Sequence, residues 1–385
     1  MRIVGCKLRE THIPFKVEFA HATKTRSSVD GIIFEVITDS SVSGYGEALP
    51  RQYVTGETNQ SVLTRMKNII VPDLLGQEFN SFSYLVEWLR TFHMRYSDLQ
   101  ANELNVKTLA ELALLDAYGR TRNKPLIDLV GGGNCDIIEY TGTVTAGKPT
   151  DIEEYLQAYQ TIGFRQFKIK VGLNWQQDQE NVQKVRKIFG PDAKIRIDAN
   201  EAWDLRTAKA RIEVLADLGV QCCEQPLPAS SRQDYPELLQ SIDKRMKLCV
   251  DESLCSQEDA LWIAENKGAH IFNLRISKNG GILNTLEIAK VAKHAGIACQ
   301  LGAQVGETSI LTRAGQVVAE HLGNLIYHEG AFGTMLLDFD VTKKPIMFAQ
   351  NGLFDCRPLR TRPGLGIDIS HPYLERMTCH STTFA

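Results

Sequence analysis

Short apolar runs alternate with amphipathic stretches over most of this chain. Residues 139–146 (EYTGTVTA), 164–172 (FRQFKIKVG), 194–203 (KIRIDANEAW), 220–228 (VQCCEQPLP), 247–255 (KLCVDESLC), 270–281 (HIFNLRISKNGG), 297–306 (IACQLGAQVG) and 325–330 (LIYHEG) read as strands that run into polar or charged positions. Between them, stretches such as 152–163 (IEEYLQAYQTIG) and 176–190 (QQDQENVQKVRKIFG) carry apolar residues at helical spacing. This alternation predicts βαβ units built on a parallel sheet. The opening of the chain has another rhythm. Residues 3–10 and 31–39 read as strands with a turn at 41–47, and 57–125 reads as helical.

The spacing of the strand ends narrows the fold. Lys170, Asp198, Glu224, Asp251, Lys278 and Gln304 follow one another at intervals of 28, 26, 27, 27 and 26 residues. Near-equal intervals place a polar residue at the end of each successive strand, as a barrel does around one rim. A doubly wound sheet would use only a switch point, and the chain has neither a GxGxxG turn nor a Walker sequence. The expected fold is α/β: a (β/α)7β-type TIM barrel preceded by an α+β capping domain. The expected divisions are a cap at 1–129, a barrel at 130–350 and an irregular segment at 351–385 that returns to the cap.

Composition excludes several other classes. Lys plus Arg total 43 and Asp plus Glu 46, for a net charge of -3, so no basic stripe for nucleic acid is expected. Hydrophobic residues at 43% supply a large core. No apolar run approaches the roughly 20 residues of a membrane span, and the N-terminal residues do not read as a secretory signal, so a soluble cytoplasmic protein is expected. Nine cysteines without a CxxC pair read as buried, reduced thiols rather than a zinc ribbon.

Asp198, Glu224 and Asp251 end three consecutive strands, where their carboxylates can converge. Taken singly, each reads more readily as a helix N-cap or a surface charge than as a ligand. Together they form three hard oxygen donors suited to Mg²⁺, with Mn²⁺ as the alternative ion, and crowded acids need a cation to offset their repulsion. Lys168 and Lys170 lie two apart on a strand and so share one face. A neighbouring like charge and partial desolvation are expected to lower their pKa and make a usable base. Lys278 is read as the end of another strand, on the far side of the acids.

KIK, IDANEAW, EQPLP, VDES and ISKNGG in this order resemble the enolase superfamily, in its muconate lactonizing enzyme subgroup, over nearly the whole chain. The resemblance implies an enzyme that removes the proton α to a carboxylate through an enediolate stabilised by the metal. Lys170 and Lys278 would face each other as general acid/base groups, with Lys168 neutralising the substrate carboxylate. Asn200 and Glu252 would support the metal ligands. The mandelate racemase pattern, with a histidine opposite the lysine, is disfavoured. A muconate-cycloisomerase-like enzyme is the first expectation. An amino-acid racemase, a dipeptide epimerase or an o-succinylbenzoate-synthase-like dehydratase is the alternative, and a non-catalytic binding scaffold is the contrasting class. A phosphate-binding barrel is disfavoured because Glu307 would repel phosphate.

The pocket is expected to be closed by cap loops carrying His21, Arg51 and Tyr53, and by Gln304, Glu307 and Glu329 at the last two strand ends. The basic cap residues would suit a second carboxylate. Asp338 and Asp340, in DFD, lie beyond the position expected of an ammonium-binding Asp pair and read as a turn. The expected partner is a small carboxylate, and the resemblance implies a homo-oligomer.

Overall fold

The computed structural model describes every residue except 22–23, 92–102, 147–149 and 151; the side chains of 17–25 also lie outside the description. Strands β1 (Ile3–His21), β2 (Lys24–Thr38) and β3 (Ser43–Ala48) form an antiparallel sheet with a C-terminal strand, Thr378–Phe384. In β1 and β2, Cys6 lies opposite Val36 and Leu8 opposite Phe34, and all four are buried. The helix Leu104–Thr121 lies on this sheet and is buried along almost its whole length, and it carries apolar residues around its circumference with a few buried polar ones among them. It approaches closely because β3 offers Gly44 and Gly46 where any side chain would strike the helix backbone.

The second unit is a parallel sheet. Its strands are β5 (Gly142–Val144), β6 (Gln166–Lys170), β7 (Lys194–Asp198), β8 (Val220–Glu224), β9 (Lys247–Val250), β10 (Ile271–Leu274) and β11 (Ala298–Leu301), adjacent in that order. β4 (Ile137–Glu139) stands outside it and pairs antiparallel with β12 (Leu353–Asp355). The eighth position is filled by a short extended segment. His328 bridges in parallel to both Leu301 and Tyr140, and the Thr141 amide donates to its carbonyl at 2.9 Å, so the ring closes. The fold is a TIM barrel with a strand-rich cap, as the strand-end spacing predicts.

The C-terminal tail that reads as irregular carries ordered elements. After β12 come the helix His371–Met377 and the edge strand Thr378–Phe384, paired antiparallel with β1. The strand escapes hydrophobic patterning because TCHSTTF sits half-exposed at a sheet edge and has little to bury. All nine cysteines are free, and Cys6, Cys222, Cys223, Cys249 and Cys356 are buried. No helix among the described residues is long and apolar enough to cross a membrane.

Candidate active site

Period-two alternation decides what enters the barrel. On β6, Phe167 and Ile169 join the core beneath the helices, so Lys168 and Lys170 turn inward. Lys170, Asp198 and Glu224 are register partners across β6, β7 and β8, and Asp251 follows β9 two residues beyond Cys249, the partner of Glu224. The acids therefore lie on one rim, next to the lysine strand.

Each acid is held by basic or amide donors. Lys170 Nζ donates to Asp198 Oδ2 at 2.5 Å and to Asn200 Oδ1 at 2.9 Å. Lys168 Nζ lies 3.3 Å from Asp198 Oδ2, 3.3 Å from Glu224 Oε1 and 2.5 Å from Glu329 Oε2. Glu224 also accepts from Asn273 Nδ2 at 2.9 Å and Gln300 Nε2 at 2.8 Å. Asp251 is gripped on both oxygens by the Arg275 guanidinium. Asn200 donates from its backbone to Asp198 Oδ1 at 3.0 Å and from Nδ2 to Glu252 Oε1 at 3.1 Å, so Asn200 and Glu252 brace the acid-bearing loops.

The electrostatics follow from burial and crowding. Burial pushes the Glu224 carboxyl up to about 8; Lys168 opposes the rise, while Asp198, Glu329 and Asp251 add to it. Burial and the nearby Asp251 raise Glu252 to about 8. Asp198 goes the other way: Lys170 and Lys168 overcome its burial and hold it below the usual carboxylate range. For Lys168 the expected lowering is reversed. Burial does pull its ammonium down, but Glu224, Glu329 and Asp198 outweigh it and hold it above the usual lysine range.

Three carboxylates at adjacent strand ends are a donor set suited to Mg²⁺. Two observations fit a cation here: the elevated, acid-crowded Glu224, and Glu252 Oε2, which is buried without a hydrogen-bond partner. Among the described residues no three acidic, Cys or His side chains are already gathered as a cluster able to hold a metal. The reason is visible in the contacts: Asp198 is turned to the lysines and Asp251 to Arg275. A bound ion would take over that neutralising role.

A cavity of ≈ 100 Å³ opens beside Lys168 and Lys170. Gln304, Glu307 and Glu329 line it, along with Tyr155, Tyr159, Phe332, Leu336 and Leu337. Glu329 is committed to Lys168 and, at 3.1 Å, to Arg196. Glu307 accepts from the Gln304 amide at 2.6 Å, and burial pushes it up to about 8. Arg51 donates from Nη2 to the carbonyl of Val305, a lining residue, at 3.2 Å. Burial and the nearby Arg26 pull Arg51 down to about 10. Tyr53 is largely exposed, and the His21 side chain lies outside the described residues. Asp340 caps the helix Ser309–Leu322 through the Ser309 amide, and Asp338 pairs with Arg376 on the surface, so neither lines the cavity.

Lys278 reaches Asp251 Oδ1 at 3.0 Å but does not line the cavity. Lys278 is wholly buried in a helical turn, Ile276–Asn279, with its Nζ on the carbonyls of Asp251 and Asn273 at 2.7 and 2.9 Å. The residue that follows β10 in register and reaches Asp251 and Gln304 is Arg275. Sequence reasoning also passed over Arg196, Asn273 and Gln300. Strand parity would have found all four, because each shares the inward row of its strand.

Two family models match the chain. Residues 3–131 match the mandelate racemase / muconate lactonizing enzyme N-terminal domain, and 151–373 match the enolase C-terminal domain-like family. Muconate cycloisomerase 1 of Pseudomonas putida is 30% identical over 92% of both chains. N-succinyl-L-Arg/Lys racemase of Bacillus cereus is 26% identical over 98% of both chains, and its crystal structure superposes with a TM-score of 0.90 over the full length of both. A dipeptide epimerase from Enterococcus faecalis, complexed with Mg and L-Leu-L-Tyr, is 26% identical over 96% of this chain and all of its own, with a TM-score of 0.84. The matched domains, the strand-end acids and the paired lysines agree: the chain belongs to the enolase superfamily, in its muconate lactonizing enzyme subgroup.

Proposed function

We propose that this chain is a Mg²⁺-dependent isomerase, with Mn²⁺ as an alternative ion, that removes the proton α to a substrate carboxylate in the manner of the muconate cycloisomerases. The observation that carries the reading is the placement of Lys168 and Lys170 on one strand end, lining a cavity, beside three acids on the same rim. Asp198, Glu224 and Asp251 would hold the ion, which supplies positive charge for the substrate carboxylate and for the enediolate made from it. Lys170 takes the α-proton. Lys168, held charged by its acids, helps neutralise the carboxylate. Tyr155, Phe332, Leu336 and Leu337 pack the rest of the substrate and exclude water. The cap, proposed as residues 1–129 with 351–385, brings Arg51 to the cavity edge, where a second carboxylate would find it.

A second reading, racemisation or epimerisation, is favoured by the similarity to the Bacillus cereus and Enterococcus faecalis enzymes. It shares the first step and differs in where the proton returns. The binding-scaffold reading loses support because the acids and the lysine pair are all present. The test is α-proton exchange in D₂O with Mg²⁺, using cis,cis-muconate, N-succinyl-L-arginine and L-Ala-L-Glu. Turnover or exchange that disappears with EDTA and in Lys170→Ala supports the reading. Turnover that persists with EDTA, or in Lys170→Ala, refutes it.

A further inference from the structure

We propose that this chain moves protons from one face of its substrate only, because Arg275, not a second lysine, stands opposite the Lys168–Lys170 pair. The inference presupposes the α-proton chemistry just described and specifies which member of that class the site can perform.

The barrel sets the opposition. β6, which carries the lysines, and β10, which leads into Arg275, are four places apart in a ring of eight, with the acid-bearing β7, β8 and β9 between them. Along β10 every second residue enters the barrel. Ile271 packs on Cys222 and Cys249, Asn273 donates to Glu224, and the next inward position is Arg275. Its guanidinium spans Asp251 and Gln304 Oε1, the latter at 3.1 Å, and Gln304 lines the cavity.

Lys278 is not available in its place. It lies three residues further on, inside a helical turn, where successive side chains rotate by about 100° and leave the strand's inward row. An ammonium has three hydrogens. Those of Lys278 have three acceptors at hand: the carbonyls of Asp251 and Asn273, and Asp251 Oδ1 at 3.0 Å. The turn itself is pinned. Ser277 Oγ donates to Asn105 Oδ1 at 2.6 Å, and Asn279 Nδ2 donates to the Leu254 carbonyl at 2.9 Å.

A guanidinium offers five donors in a plane and no acceptor, so it clamps anions and does not accept a proton from carbon. The chemistry is then confined to the β6 side. A lysine amine takes the α-proton: the C–H bond breaks, its electron pair enters the enediolate, and the proton rides on Nζ. The pair then either recovers a proton from the same Nζ, on the same face, or expels a leaving group from the β-carbon; cycloisomerisation runs the latter in reverse, a carboxylate oxygen adding to the β-carbon and the lysine ammonium giving its proton to the α-carbon. Delivery to the opposite face, which inversion requires, would have to leave Arg275 a neutral guanidine, and a guanidinium hydrogen-bonds without giving up its proton. Cycloisomerisation or elimination fits this site, and racemisation does not.

Two measurements test it. In D₂O with Mg²⁺, the wild-type protein is incubated with N-succinyl-L-arginine, L-Ala-L-Glu and cis,cis-muconate. The expected result is that any α-deuterium enters with retention, and that Arg275→Lys gains formation of the inverted isomer. Inverted product from the wild type overturns the proposal. The second measurement needs no substrate: reductive methylation of the wild-type protein, mapped by mass spectrometry. Lys170 is expected to react at least about tenfold faster than Lys278, whose Nζ reacts only through local opening. Equal rates overturn the proposal. Absence of turnover on all three probes, with the methylation order as expected, counts against the α-proton reading for these substrates and leaves the one-faced geometry supported.

Discussion

Gly44→Ala tests how the cap controls the site. Gly44 does not need its conformational freedom, since its backbone is not in the left-handed region; it needs the space. A Cβ there would meet the Ala117 methyl at 2.6 Å and the backbone of Ala113 and Ala117 closer still. Carbon atoms in contact sit about 3.5–4.0 Å apart, so the helix Leu104–Thr121 must retreat by roughly 1 Å. Overpacking of this kind costs about 1–3 kcal/mol, and backbone obstacles put Gly44→Ala at the upper end. For a chain of this size, about 3 kcal/mol lowers Tm by roughly 5–10 °C. The same helix holds the β10 turn: Asn105 accepts from Ser277, and Thr108 Oγ1 donates to the Ile276 carbonyl at 3.3 Å. Arg275 precedes that turn, so a 1 Å retreat reaches the rim, where misplacement of that size costs about 10²-fold in rate. Scanning calorimetry and kcat/KM are the assays, with Gly296→Ala as control. A Cβ added at Gly296 would meet nothing within 4 Å, so that substitution is penalised only through its φ of +69°, by about 1 kcal/mol. Wild-type Tm and kcat/KM in Gly44→Ala would refute the packing argument.

Three further outcomes are expected. Glu329→Gln leaves Lys168 and Arg196 buried with one anion fewer, and should cost about 3–5 kcal/mol by urea denaturation; a loss under about 1 kcal/mol would show that Glu224 and Asp198 compensate. Burial raises Glu111 to about 7, with Lys107 opposing. The native chain therefore keeps a proton that the unfolded chain gives up between roughly pH 4.5 and 7, and stability falls as pH rises through that window by up to about 3 kcal/mol. Glu111→Gln should flatten that decline, measured as the difference in urea midpoint between pH 5 and pH 8; an unchanged slope would rule the residue out. Mg²⁺ at a hundred times its Kd should stabilise the fold by about 2.7 kcal/mol, and Glu224→Gln should lose most of that shift in a thermal scan; an equal shift in the variant would place the ion elsewhere.

The barrel and half of its rim are properties of the sequence alone. Strand periodicity is local, so KIK turns both lysines one way wherever the strand lies, and intervals of 26–28 residues put Asp198, Glu224 and Asp251 at successive strand ends. Tertiary structure decided the rest. Whether Arg275 or Lys278 faces the site depends on where β10 gives way to a helical turn. That boundary is held by Asn105 and Thr108, which bond to Ser277 of ISKNGG across the cap–barrel contact, so the segment does not fix it alone. Glu329 becomes a partner of Lys168 only because the barrel closes through His328. The lysine's charge follows from three acids drawn from three other elements, so a chain read residue by residue sees a like-charged neighbour and predicts the opposite shift. A polar edge strand such as Thr378–Phe384 buries little, and its place is settled by backbone pairing with β1, a nonlocal match that composition does not encode.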